Sequence, residues 1–355
     1  MKLGFGLYRH MLNTENFRFA RQCGSTHLIA HLCDYFRDSR ANASSDQPTG
    51  DLRGWGRAGD PDVLWTYDDF DRLKRAAAAE GLDLYAIENF DPAHWYDVLL
   101  GGPRRAAQLD GLKHMIRDMG RAGISVMGYN FSLAGVSARI RGPFARGQAE
   151  AVGMNGPEYT PIPRGMVWNM VYDPSAQDGT MPPCSSDELW ERLSYFLEEI
   201  LPVAEEHGVR LALHPDDPPL ETVRGTPRLV WQPQLYQKLI ELNPSPANAL
   251  EYCVGTLAEM RDGDIYTATE CYAGQNRIAY VHLRNVRGKV PCYSETFIDE
   301  GEVNVPRILR ILYEQNFDGV IIPDHAPQMS CAAPWHAGMA FAMGYLKAEL
   351  DRLDR

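Results

Sequence analysis

Eight short apolar runs rich in β-branched residues recur along the chain, at about 3–8, 26–31, 83–88, 124–130, 209–214, 248–253, 278–283 and 318–323. Most are followed by a helical pattern, and strand-then-helix repetition specifies a parallel sheet with right-handed crossovers. Eight such units close naturally into a (β/α)8 barrel, the α/β fold class expected here. The intervening helices are clearest at 67–80, 104–122, 186–207, 231–242 and 304–315, with a terminal helix at about 336–353. Ser186 or Asp187 reads as the N-cap of the long central helix, and Gly81, Gly123 and Gly208 as the stops of three others. A length of 355 residues exceeds an ordinary domain and suits one barrel of about 250 residues carrying insertions. The surplus falls at 32–66, polar and rich in Gly, Asp and Arg, and at 132–185, rich in Gly and Pro with isolated aromatic residues. Both stretches follow strands, which puts them on the C-terminal face of a barrel as lids or subunit contacts.

The balance of 47 acidic against 35 basic residues, a net charge of −12, argues against a broad basic face for nucleic acid or anionic membrane. Before Tyr8, Arg9 and His10 only Leu3 to Leu7 are apolar, too few for the core of a secretory signal, and no run of about 18 apolar residues occurs. A cytoplasmic location is therefore expected. Seven cysteines with no CxxC pair read as free thiols, one of them a candidate ligand. Neither a GxGxxG nor a Walker phosphate loop is present in a βα context, and a GxSxG elbow is absent, which argues against nucleotide binding and serine hydrolysis.

The chemistry concentrates in the second half. The last four strands end in LALHPDD, LEYCVG, VHLRN and IIPDH, placing His214, Cys253, His282 and Asp324 at successive strand tips, 39, 29 and 42 residues apart. Each separation is one βα unit, so a barrel brings two imidazoles, a thiolate and a carboxylate to one rim. That is a donor set for a divalent transition metal. A lone His or Cys at a strand end is ordinarily just packed or hydrogen-bonded; the joint pattern carries the argument. Asp216 and Asp217 could orient the His214 ring. Arg284, two residues beyond His282, is a candidate clamp for a substrate carboxylate. Arg9, His10, Glu88 and Asn130 stand at the ends of other strands as candidate contacts to sugar hydroxyls, and Asp216 is a further candidate substrate contact.

On LALHPDDPP, the Cys-Val-Gly of strand six, HLRN, the stretch Phe297 to Asn304, PDH at 323–325 and YNF at 129–131, the sequence resembles the mannonate dehydratase family of xylose-isomerase-like barrels. The resemblance spans nearly the whole chain, with its specificity in 209–325. It implies a divalent ion, Mn²⁺ or a relative such as Fe²⁺, on His214, Cys253, His282 and Asp324. The implied reaction removes water from D-mannonate to give 2-keto-3-deoxy-D-gluconate, with His325 as acid/base. Two positions depart from the family pattern: Trp335 or His336 stands where the family has a catalytic tyrosine, and Ile298 where it more often has a second histidine. His336 is accordingly a candidate second proton-transfer partner. The rival readings are a metal-dependent sugar isomerase or epimerase, which would leave mass unchanged, and a metal-binding barrel without catalysis. The expected partner is a small sugar acid, with no nucleic acid or membrane, in a homo-oligomer whose insertions are shared between subunits.

Overall fold

The computed structural model describes residues 1–37 and 54–353; the part of the first insertion at 38–53 lies outside the described residues. Eight parallel strands close a barrel in chain order: β1 Lys2–Leu7, β2 His27–His31, β3 Asp83–Glu88, β4 Val126–Tyr129, β5 Arg210–Leu213, β6 Asn248–Cys253, β7 Ile278–His282 and β8 Val320–Ile322. Each expected run forms a barrel strand. The seam pairs Lys2 and Leu3 of β1 with Val320 and Ile321 of β8. Gly4 is required there, because a Cβ would run into the Val320 side chain.

Inside the barrel, Ala86, Ala212, Ala249 and Ala279 leave room for Tyr280 and for the half-buried Tyr85, with Ile29, Val126, Val320 and Ile322 filling the rest. Outside, the strands' other faces pack on a ring of helices: α1 Thr14–Gln22, α2 Tyr67–Ala79, α3 Arg105–Arg121, α4 Ser186–Glu206, α5 Leu235–Leu242, α6 Ile265–Gly274, α7 Val305–Glu314 and α8 Pro334–Leu353. In α4 the apolar positions Leu189, Leu193, Phe196, Leu197, Ile200 and Ala204 recur at helical spacing, and all are buried. Gly81, Gly123 and Gly208 take left-handed φ of 80°, 72° and 68° just past α2, α3 and α4, as stops do. Among the described residues no helix is long and apolar enough to cross a membrane.

One cap differs from the sequence expectation. Ser185, not Ser186 or Asp187, opens α4: its hydroxyl accepts the Glu188 N–H while the Glu188 carboxylate accepts the Ser185 N–H, a reciprocal pair that only this register satisfies.

Loops after β2, β4 and β7 build a cap over the C-terminal rim. Arg139–Ala145 and Ala149–Asn155, from the second insertion, form a four-stranded antiparallel sheet with Asn285–Lys289 and Cys292–Thr296, which follow β7. Gly56–Arg57 joins Met166–Val167 and Met170–Val171 in a smaller sheet, so both insertions meet. Tyr35, Trp55 and Trp168 seal that junction edge-on and tilted at 5.4–5.5 Å.

The reassigned cap is testable by thermal or denaturant unfolding. Ser185→Ala should lose about 1 kcal/mol, whereas Ser186→Ala should stay within about 0.5 kcal/mol of the parent.

Candidate metal centre and active site

Parallel strands point the same way, so their tips share one end of the barrel, and the last four tips carry the donor set. His214 follows β5 directly, Cys253 ends β6, His282 ends β7 and Asp324 lies just past β8. One donor atom from each of His214, Cys253 and His282 falls within 4.8 Å of the others. Asp324 closes the group, with Oδ2 3.6 Å from the Cys253 sulfur and Oδ1 3.5 Å from His282 Nδ1.

The local chemistry prepares these atoms for a cation. His214 Nδ1 donates to the Pro215 carbonyl at 2.6 Å, which commits Nδ1 and leaves Nε2 as the nitrogen that an ion would take in exchange for its proton. Cys253 opens the short helix Val254–Glu259, and its sulfur accepts from the Thr256 hydroxyl at 3.1 Å. Burial and Asp324 push this thiol up, but Arg284, His214 and His282 outweigh them and bring it down to about 6, toward the thiolate that a metal takes. Burial disfavours a His214 cation, yet Cys253 and Glu251 raise its pKa to about 9. Burial likewise opposes the Asp324 carboxylate, and His325, His282 and Arg284 hold it well below the usual range. Among the described residues neither buried ring nitrogen of His282 has a hydrogen bond, although carboxylate oxygens stand 3.3–3.5 Å away. Close but unaligned donors around an unpartnered imidazole fit a divalent ion, and the mixed N, S and O set suits a transition metal.

A second layer lies beneath. Glu88, at the tip of β3, and Glu251, two residues before Cys253, both approach His282 Nε2. Burial works against the Glu88 carboxylate, but the neighbouring His282 holds it ionised; burial and the neighbouring Glu88 charge push Glu251 up, toward its neutral form. The alternation of β6 offered a signal for Glu251, since it shares a face with Cys253.

Arg284 sits deeper than the sequence suggested. Its guanidinium is 1% exposed and donates to Asp324 at 2.8 Å, to Asp217 and the Thr256 hydroxyl at 3.1 Å, and to Glu259. With its donors committed to the protein, it holds Asp324 in place rather than clamping a substrate.

The remaining candidates divide. His214, His282, Asp324, Glu88, Asn130 and His325 line one cavity at the rim. His325 Nδ1 is 3.2 Å from Glu295 and Nε2 3.2 Å from Asp324. Arg9 is elsewhere: the chain turns after β1 into Arg9–Met11, and the guanidinium donates to the Leu32 carbonyl and covers Trp65 at 4.4 Å. His10 stacks beside Tyr8 and edge-on to Phe36, and Tyr8 takes the cavity position instead. Asp216 accepts the N–H groups of Leu229 and Val230 and pairs with Arg228, whereas Asp217 faces the cavity. His336 points to α1, against Phe19 and Asn16, while Trp335 reaches the cavity. Sequence reading missed Arg139, which comes from the insertion, lines the cavity and pairs with Asp217 at 2.8 Å. Ile298 is buried in the main core.

The family model described as D-mannonate dehydratase matches residues 48–140 and 181–345. A mannonate dehydratase of Geobacillus thermodenitrificans is 31% identical over 286 residues, covering 74% of this chain and 76% of that protein. One from Streptococcus suis is 29% identical, covering 74% of each. Among solved structures, mannonate dehydratase from Streptococcus suis superposes with a TM-score of 0.75 at 23% identity, over 99% of this chain and 93% of that one. D-psicose 3-epimerase from Clostridium cellulolyticum, at 12% identity and a TM-score of 0.56 over 100% and 98% of the two chains, shares the barrel fold.

The commitment of Arg284 to the protein has a measurable consequence. Arg284→Met takes away the partner shared by buried Glu259, Asp217 and Asp324, and unfolding measurements should show a loss of about 3–5 kcal/mol. Adding Glu259→Leu should recover a large part of it.

Proposed function

The chain belongs to the mannonate dehydratase family, a family of hydro-lyases, and we propose that it converts D-mannonate, or a hexonate of closely similar shape, to 2-keto-3-deoxy-D-gluconate. One observation carries this reading: two imidazoles, a thiolate and a carboxylate meet at the barrel rim, with the His325 imidazole against that carboxylate. In the reaction a proton leaves C2 and the hydroxyl leaves C3, the two depart as water, and the resulting enol becomes the ketone. The difficulty lies at C2, because removing a proton beside a carboxylate places a second negative charge on the same small group.

His214, Cys253, His282 and Asp324 would hold the ion, for which Mn²⁺ is proposed with Fe²⁺ as the near relative. Bound there, a divalent ion supplies Lewis-acid stabilisation of the charge that develops on the substrate. His325 moves the proton at C2 or at the departing C3 oxygen; Glu295, 3.2 Å from Nδ1, fixes the ring and balances its charge when protonated. Arg139 brings positive charge to the cavity wall for an anionic substrate, a role that Arg284 and Arg9 are not placed to fill. Arg284 and Asp217 act on the site through Asp324 and Arg139. Trp335 closes the cavity where His336 was a candidate, and His325, which lines it, is the proposed acid/base. The proposal also takes residues 1–355 as one functional unit, acting in the cytoplasm as a homo-oligomer, whose size in solution light scattering would report.

The decisive test incubates metal-loaded protein with a panel of hexonates and follows mass. Loss of one water with appearance of an α-keto group is expected on D-mannonate or a near analogue. An unchanged mass with a rearranged sugar would identify an isomerase or epimerase instead. His325→Ala should lower kcat by about 10²-fold or more with the metal retained, and His214→Ala should lose the metal itself by elemental analysis. A His325→Ala protein with full turnover would remove the acid/base assignment.

A further inference from the structure

The wall of the cavity across the barrel from Cys253 carries a hydrogen-bonded chain that the reaction scheme above does not use. In the closed strand order β2 lies opposite β6. The tip of β2 is His31, whose ring is 13% exposed and lines the same cavity as His214, His282 and His325. Its Nδ1 is 3.0 Å from the Tyr35 hydroxyl. Among the described residues nothing hydrogen-bonds His31 Nε2.

His31 Nδ1 also faces Glu88 Oε1 at 3.5 Å, without a hydrogen bond between them, so the donors and acceptors around the Tyr35 hydroxyl decide which nitrogen carries the proton. Asn130 donates through Nδ2 to Asn89 Oδ1 at 2.8 Å, so the Asn89 amide presents its own Nδ2 in the other direction, to the Tyr35 oxygen at 2.8 Å. Asn89 reaches this pose from a left-handed backbone, φ 64°, which asparagine tolerates. The Tyr35 oxygen accepts that bond, and its single proton points to His31 Nδ1. A neutral imidazole has one N–H. With Nδ1 accepting, that proton sits on Nε2. Burial keeps the ring in this neutral form by lowering its pKa, against the attraction of Glu88. Tyr35 cannot turn away, because Tyr8, Trp55 and Trp168 pack around its ring at 5.4–5.8 Å.

We infer that His31 is a specificity-determining residue: a neutral Nε2–H donor, locked in that tautomer by the chain Asn130, Asn89, Tyr35, that binds a hydroxyl of the sugar acid. A neutral donor suits a hydroxyl better than a carboxylate, and the side of the cavity that would carry the ion, with its candidate ligands and Arg139, is formed by other elements. The substrate's charged end then lies toward β5–β8 and its hydroxyl chain toward β1–β3. The inference rests on the proposed hexonate reading and deepens it. It also gives the aromatic junction between the two insertions a function, since that packing holds Tyr35 and through it the tautomer of His31.

Two measurements test it. In metal-free protein with ¹⁵N-labelled histidine, NMR should show His31 as the Nε2–H tautomer, and Tyr35→Phe should populate both tautomers. An Nδ1–H His31 in the wild type overturns the inference, whatever the protein catalyses. In the second measurement, metal-loaded protein is assayed on its hexonate and on the set of monodeoxy hexonates. The wild type should disfavour one deoxy analogue by about tenfold in kcat/KM, the worth of one hydrogen bond. His31→Leu should erase that preference while keeping its metal, and His31→Gln, whose amide N–H reaches the same place, should restore most of it. A His31→Leu protein that discriminates among the deoxy analogues as the wild type does overturns the inference. A wild type inert toward every hexonate contradicts the proposed function instead, and leaves the tautomer measurement to decide His31 alone.

Discussion

Buried charge at the barrel rim is the constraint to which the rest of this structure answers. Closing eight parallel strands sends the side chains of their tips into one narrow, dry volume, and this sequence fills it with Glu88, Asp217, Glu251, Glu259, Glu295 and Asp324 around the Cys253 thiol. Two guanidiniums, Arg139 and Arg284, and the imidazoles stand against them. Uncompensated ions in such surroundings are costly, so each must be paired, neutralised or shared with a cation. Glu251 goes the way of neutralisation and Asp217 the way of pairing with Arg139 and Arg284, while burial pushes Glu259 up against the pull of Arg284, and the four strand-tip donors are left as a set whose charge a divalent ion would balance.

The same constraint separates residues that hold the site from residues that act in it. Arg284 ties Asp324, Asp217 and Glu259 together from below, and Glu295 restrains His325 from the cap sheet. The cap is therefore more than a cover. Its strand Cys292–Thr296 supplies Glu295, its strand Arg139–Ala145 supplies Arg139, and the junction of the insertions braces Tyr35. Loops on the C-terminal face of a barrel carry function of this kind because the strands beneath hold them at fixed spacing.

What was legible in the sequence follows from where periodicity reaches. One βα unit between His214, Cys253, His282 and Asp324 forces convergence once the barrel closes, so that group could be read from spacing. Arg284 shares the side of His282 as alternation requires, but its partner Glu259 sits on the short helix Val254–Glu259 that no repeat announces, and the two together reverse its expected role. Neighbours in sequence part for equally local reasons. Asp216 turns to the backbone of Leu229 and Val230 while Asp217 turns inward, and one residue of helix, about 100° of rotation, sends Trp335 to the cavity and His336 to α1. Glu295, Arg139 and the Tyr35 lock come from loops that return over the rim, and only the folded chain brings them there.

The claim on which the account turns is that the Cys253 thiolate joins the strand-tip imidazoles and Asp324 around one ion. X-ray absorption at the metal edge of the loaded protein tests it directly. The account predicts one sulfur scatterer at about 2.3 Å among nitrogen and oxygen neighbours, as for a thiolate-bound divalent metal, and its disappearance in Cys253→Ser. A shell of nitrogen and oxygen alone in the parent protein would contradict it.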